Sequence, residues 1–348
     1  WCDGLEAYAK ANAVIAPPKA WEKAVPFGWN SWGALQFNLT YEKAMEVSDY
    51  FKENLQNNHF VNPDQTVYIG LDSGWDCMNE EQLKSFIEKC KSNGQIGGIY
   101  WTPFTDWARD PERTVDAAPE YKYKDIYLYA NGKPQELDGA YAVDPTHPAV
   151  EAMMKKTSGL FHRAGFEYVK MDFMTHGAME ADKWYNPEIT TGIQGYNYGM
   201  KLLNQYFGDM YINLSISPVF PAQYAQSRRI ACDAWNQIKD TEYTLNALSY
   251  GWWQKYIYQY NDADHIVLRD ATDGENRARI TSGVITGIYI TGDDFSVGGG
   301  KDAKEKSQKY LTNAAVNAVA TGEVFRPVEG NGEKSEHCLL YTSPSPRD

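Results

Sequence analysis

From about residue 26 onward, short β-prone apolar runs alternate with longer stretches in which apolar residues recur every three or four positions. The short runs fall at 26–32, 67–72, 97–102, 168–173, 211–217, 229–233, 266–269 and 284–290, and read as eight strands. The longer stretches read as helices. Thr40 can cap one in which Ala44, Val47, Phe51 and Leu55 share a face. Leu83, Phe86, Ile87 and Cys90 repeat that spacing. Pro148, suited to a first helical turn, opens a third that carries Val150, Met153, Met154, Leu160 and Phe161. Further helical stretches are 196–207, 241–258 and 304–320. Strands interleaved with helices over roughly 270 residues predict an α/β fold, a (β/α)8 TIM barrel. The alternative, a doubly wound open sheet, lacks any G-x-G-x-x-G or Walker loop.

The expected organisation is an approach segment at 1–25, the barrel at 26–321, and the start of a truncated C-terminal antiparallel β domain at 322–337. Residues 338–348 break the pattern and read as a non-native tail. The first residue is Trp1, so an N-terminal targeting segment is expected to be missing, and secretion or a periplasmic address is the expectation.

Composition narrows the chemistry. A formal charge of −13 disfavours nucleic acid and anionic membranes as partners and suits an uncharged substrate. There is no apolar run of membrane-spanning length. The five cysteines include no C-x-x-C pair, so neither a disulfide framework nor a zinc site is indicated, and no metal or cofactor is expected. Aromatic residues make up 14% of the chain, with 11 Trp and 25 Tyr, enough for either a large aromatic core or surfaces on which sugar rings stack.

Barrel enzymes carry their sites at the C-terminal ends of the strands. The polar or aromatic residues expected there are Trp32, Asp72, Trp101, Lys170, Asp172, Ser215, Ser217, Asp233 and Asp294, with Asp264 just ahead of the seventh strand. In the run from Tyr168 to Phe173, Lys170 and Asp172 share one strand face and Val169, Met171 and Phe173 the other. The apolar set can pack on helices, which sends a Lys and an Asp into the barrel. A structural ion pair is one explanation, and it would keep Asp172 ionised, as a nucleophile requires. Arg229, Ala231 and Asp233 likewise share a face. Two carboxylates on separate strands are what glycoside hydrolysis uses: one attacks the anomeric carbon, the other protonates the leaving oxygen and then activates water.

At these residues the chain resembles the α-galactosidases of glycoside hydrolase families 27 and 36, over roughly residues 26–325. The resemblance lies in six motifs in the family's order: Phe27-Gly-Trp-Asn-Ser-Trp32, Tyr68-Ile-Gly-Leu-Asp-Ser-Gly-Trp75, Asp144-Pro-Thr-His-Pro148, Tyr168-Val-Lys-Met-Asp172, Arg229-Ile-Ala-Cys-Asp233 and Tyr260-Asn-Asp-Ala-Asp264. It implies a retaining exo-glycosidase acting on terminal α-D-galactosides of oligo- or polysaccharides, with no cofactor. Asp172 would be the nucleophile and Asp233 the acid/base. Trp32, Asp72, Ser73, Tyr100, Lys170, Ser215, Ser217, Arg229 and Asp264 would contact substrate. Core packing is the other reading of Trp32 and Tyr100.

The chain departs from the family in three places. Ser73 stands where the family has a second acid that grips O4 and O6 of galactose. The fifth-strand stretch 213–218 carries no acid or Cys where the family reads the C2 substituent, and Phe173 and Met174 replace the Cys of a flanking disulfide. The same scaffold could therefore serve as an α-N-acetylgalactosaminidase, a β-L-arabinopyranosidase, an isomaltose-releasing dextranase or a raffinose-synthase-like transglycosylase. A non-catalytic sugar-binding barrel would have no need of both Asp172 and Asp233.

Overall fold

The computed structural model describes residues 1–327 and 341–342. Its centre is a closed barrel of eight parallel strands: β1 (Phe27–Asn30), β2 (Val67–Gly70), β3 (Gln95–Trp101), β4 (Tyr168–Met171), β5 (Tyr211–Leu214), β6 (Ser227–Arg229), β7 (Tyr260–Asp262) and β8 (Gly287–Thr291). Each strand pairs with its neighbours in sequence, and β8 closes on β1 through Phe27 opposite Tyr289.

The helices are α1 (Cys2–Ile15), α2 (Tyr41–Tyr50), α3 (Glu80–Ser92), α4 (Pro148–Ala164), α5 (Gly192–Phe207), α6 (Ile238–Gly251), α7 (Asp273–Thr286) and α8 (Lys301–Tyr310). Five of them, α2, α3, α4, α5 and α7, form where the sequence supplies both a side-chain cap and buried apolar positions. Asn79 and Gln82 make a reciprocal capping box at the start of α3, and Leu83, Phe86, Ile87 and Cys90 turn one face onto the barrel. Each such Leu, Phe or Ile contributes about 2 kcal/mol when fully buried. His147 accepts the Ala149 N–H to cap α4, and Gly165 in the left-handed conformation ends it.

The barrel expectation holds, and several element boundaries change. The expected seventh strand at 266–269 is not one: the strand is Tyr260–Asp262, and Ile266 makes an isolated bridge to Thr291. The β-branched Ile266 and Val267 look strand-like, whereas Asn261 and Asp262 look like a turn. Inside the barrel, however, Asp262 accepts from Asn213 Nδ2 at 2.7 Å and from the Asp264 N–H at 2.7 Å, so its burial is satisfied. Residues 284–286, expected as strand, are the last turn of α7. That helix begins at a Thr272–Glu275 capping box, and Gly287 breaks it where a β-carbon would meet the Asn261 carbonyl at 2.2 Å.

The approach segment contains α1, whose Tyr8 packs edge-on against Phe220 and Trp253. The helix expected at 241–258 starts at Ile238 and tightens into a 3-10 turn at Trp252–Tyr256, and the stretch 304–320 divides into α8 and a single turn at Ala314–Asn317. The crossover from β5 to β6 carries no helix. The expected C-terminal β segment at 322–337 and the tail at 338–348 fall largely outside the described residues.

The connection from β3 to α4 is an elaboration of its own. Thr105–Asp106, Ala140–Ala142 and Glu136–Leu137 make a small antiparallel sheet at the C-terminal face of the barrel. It is pinned by buried Asp106, which accepts from Tyr127 Oη and Arg113 Nη2, each at 2.5 Å, and from the Ala108 N–H at 3.2 Å. This fixes the backbone on both sides of Trp107.

Candidate active site

A cleft of about 540 Å³ opens at the C-terminal ends of the strands. Seven of the eleven sequence-selected residues line it: Trp32, Asp72, Ser73, Tyr100, Lys170, Asp172 and Asp233.

The floor is a charged network. Lys170 Nζ donates to Asp72 Oδ2 at 2.8 Å, and Asn30 Nδ2 donates to the same oxygen at 2.6 Å. The other Asp72 oxygen accepts the Ser73 N–H at 2.8 Å. Three donors thus satisfy a carboxylate that is almost fully buried. Lys170 lies 5.5 Å from the centre of the Tyr100 ring, and burial together with the Asp172 and Asp72 carboxylates pushes the Tyr100 hydroxyl well above the usual phenol range, so it remains a donor.

Asp172 sits one residue beyond β4, its N–H still bonded to the Trp101 carbonyl at 2.9 Å. Its Oδ1 accepts the Phe173 N–H at 2.8 Å. The expected ion pair of Lys170 with Asp172 is instead made with Asp72, and burial dominates at Asp172, raising its carboxyl above the usual range despite the nearby Lys170. Phe173 does not face the helices as strand alternation predicts. The chain leaves the strand here with Phe173 in the left-handed region (φ 53°), which turns the ring into the cleft.

Asp233 is not on a strand. β6 ends at Arg229, and Asp233 follows in an irregular segment with its side chain partly open to solvent. Arg229 reaches up from below: Nη2 donates to Asp233 Oδ1 at 2.5 Å, Nη1 lies 2.9 Å from Asp264 Oδ1, and Nε bonds the Ala231 carbonyl at 3.0 Å. Trp32 Nε1 donates to Asp233 Oδ2 at 3.2 Å. Both oxygens of Asp233 are therefore held, one from each side.

Arg229 and Asp264 do not line the cleft; they form the layer beneath Asp233. Asp264 also accepts the Ala234 N–H at 2.6 Å and lies 3.1 Å from His265 Nδ1. Burial opposes ionisation of Asp264, but Arg229, His265 and Lys170 outweigh it and hold the carboxyl well below the usual range. The sign of its pH effect follows. With a folded pKa below the unfolded value of about 3.9, its contribution is complete above that pH and disappears as pH falls. Asp264→Asn is expected to lower stability at neutral pH by about 3 kcal/mol and to flatten the acid limb of a urea stability–pH curve. A curve parallel to wild type would contradict this.

Ser215 and Ser217 are not brought to the cleft. β5 ends at Leu214, both serines are buried, and Ile216 between them faces in. Trp101 packs on Phe207 outside the barrel, and Asp294 bonds Ser296. The cleft adds residues the sequence reading did not select: Phe37, Gly74, Asp76, Trp107, Phe173 and Ile216. Asp76 follows directly on the second-strand motif; Phe37 lies in the 3-10 turn Gln36–Asn38, Trp107 in a loop, and Ile216 in the stretch 211–217 expected as strand, two residues past the end of β5. Among the described residues no group of three or more His, Cys, Asp or Glu could hold a metal ion, and no helix is long and apolar enough to cross a membrane.

The same architecture occurs in solved structures. The α-galactosidase of Thermus thermophilus, in complex with p-nitrophenyl α-D-galactopyranoside, matches with a TM-score of 0.68 over 90% of this chain at 18% identity. The barrel shares its fold with that structure. A GH27 β-L-arabinopyranosidase from Geobacillus stearothermophilus matches over 88% of this chain and 79% of its own at 18% identity, TM-score 0.65. The isomalto-dextranase of Arthrobacter globiformis, complexed with panose, matches over 87% of this chain and 57% of its own at 15% identity, TM-score 0.60. This chain spans 66% of the Thermus enzyme's length. No protein-family model matches the sequence.

Proposed function

We propose that this protein is a retaining exo-glycosidase that hydrolyses terminal α-D-galactosides. The observation that carries the reading is the pairing of Asp172 and Asp233, from the segments that follow β4 and β6, in one cleft closed below by the Lys170–Asp72–Asn30 network.

The sugar binds with its hydroxyls on Lys170 and Asp72 and its ring against Trp32. Asp172 then attacks the anomeric carbon. As that bond forms, the glycosidic C–O bond breaks, and the leaving oxygen takes its electron pair and a proton from Asp233. In the second step Asp233 removes a proton from water, the water oxygen bonds the anomeric carbon, and Asp172 departs as carboxylate. Arg229 and Trp32 position Asp233 throughout. Because burial raises the carboxyl of Asp172, the acid limb of kcat/KM is expected above the ordinary aspartate range.

Ser73 supports a second reading. It lines the cleft where the resemblance places an acid that grips O4 and O6, so a pyranoside lacking O6, such as β-L-arabinopyranoside, would lose less here than galactose. The test is a panel of aryl glycosides: α-galactoside, α-N-acetylgalactosaminide, β-L-arabinopyranoside and α-glucoside. Fastest release is expected from α-galactoside. Release from another member alone would keep the mechanism and change the sugar, whereas silence across the panel from folded protein would overturn the proposal.

A further inference from the structure

The cleft has a polar floor and an apolar mouth. At the floor, Asp72 and Asp172 are 2% and 8% exposed; at the mouth, Phe37, Trp107 and Ile216 are 75%, 45% and 43% exposed. They come from the segments after β1, β3 and β5, so the strand order puts Phe37 and Ile216 on opposite sides of the barrel, and all three line the one cleft. A sugar seated on a closed floor can send its leaving group only toward this mouth. We propose that Phe37 and Trp107, closed opposite by Ile216, form a leaving-group subsite for a substrate with a flat apolar face. The inference rests on the proposed glycosidase reading and adds the class of group on the far side of the bond.

These side chains are held in place. Trp107 packs edge-on to Phe173, ring centres 4.7 Å apart, and donates Nε1 to Thr102 Oγ1 at 3.3 Å. Phe37 packs edge-on to Trp32 at 5.3 Å and follows Gln36, a non-glycine residue at φ 50°. Ile216 has φ 43°, and its carbonyl accepts both the N–H and the Oγ1–H of Thr175, each at 2.8 Å. A β-branched residue in the left-handed region is a strained choice where Gly or Asn would fit without strain, and such strain collects at ligand-binding positions.

The chemistry of the partner follows from the hydrogen-bond inventory. Phe37 and Ile216 have no polar side-chain atom, the indole N–H of Trp107 is spent on Thr102, and that of Trp32 on Asp233. These side chains therefore recognise by shape and apolar contact, with the exposed Asp76 carboxylate a polar edge on the same cleft. Two leaving groups present such a face: an aryl ring, and the C–H face of a second pyranose.

The test compares wild type, Trp107→Ala and Phe37→Ala on three α-galactosides: the fluoride, whose leaving group cannot reach the mouth, the 2-naphthyl glycoside, and a galactosyl-glucose disaccharide. The readout is kcat/KM for each larger substrate divided by that for the fluoride. In both variants a fall of about tenfold is expected in at least one ratio. A fall on naphthyl alone assigns an aromatic aglycone, a fall on the disaccharide alone a second sugar. Ratios within about twofold of wild type on both substrates overturn the subsite while leaving the proposed function standing. Wild-type failure on all three overturns the function and the subsite together. Phe37 is largely exposed, so its replacement reads out even if Trp107→Ala does not fold.

Discussion

Asp172→Asn is expected to lower turnover about ten-thousand-fold or more while galactose binding survives. The substitution keeps the shape, and the amide oxygen can still accept the Phe173 N–H, so the loop after β4 keeps its geometry. What disappears is the nucleophile, and no neighbouring carboxylate can replace it: Asp72 is tied to the floor by Lys170, Asn30 and Ser73, and Asp233 is held between Arg229 and Trp32. Folding should not suffer. Burial raises the folded pKa of Asp172 above the unfolded value, so the ionised group costs stability at neutral pH, and a neutral amide removes that cost. The expected pattern is therefore lost turnover with an unchanged or higher melting temperature. Aryl galactoside kinetics alongside calorimetric titration with galactose checks it, and appreciable residual turnover would remove Asp172 from its assigned role.

Lys170→Met is expected to have the largest effect on stability, a loss of about 3–5 kcal/mol. Lys170 and Asp72 are both almost completely buried, and Lys170 is the cation that compensates Asp72 directly. Burial alone would favour the neutral amine, yet Asp72 and Asp172 outweigh it and keep Lys170 charged. Without it, two carboxylates remain in a low-dielectric floor, and the folded pKa of Asp172 moves further above its unfolded value. Stability from a raised carboxyl is present at low pH and lost as pH rises through the folded pKa, so the deficit should be greatest near neutral pH and shrink on acidification. Urea unfolding at several pH values measures this. A pH-independent loss, or one under about 1 kcal/mol, would mean that the charge network contributes little.

The sequence carried the barrel because its signals are redundant. Caps at Thr40, Asn79 and His147 coincide with apolar stripes, and short apolar runs recur between them. It misled where polar residues build a strand: the buried Asp262 is satisfied by Asn213 from across the barrel, a partner that no local pattern encodes. The floor was legible because Lys170 and Asp172 alternate with apolar neighbours. The mouth was not, since Phe37, Trp107 and Ile216 owe their positions to left-handed turns and to the buried Asp106 anchor. Asp233 was legible by its spacing from Arg229, although loop geometry and the Arg229 ion pair hold it, rather than the predicted strand.

The central claim is that Asp172 becomes covalently glycosylated during turnover. The direct measurement is peptide mass mapping after brief reaction with a fluorinated α-galactosyl fluoride whose glycosyl-enzyme breaks down slowly. A single adduct of one fluorosugar is expected on the peptide containing Asp172, absent from Asp172→Asn. An adduct on another carboxylate, or turnover of the reagent with no adduct at all, would contradict it.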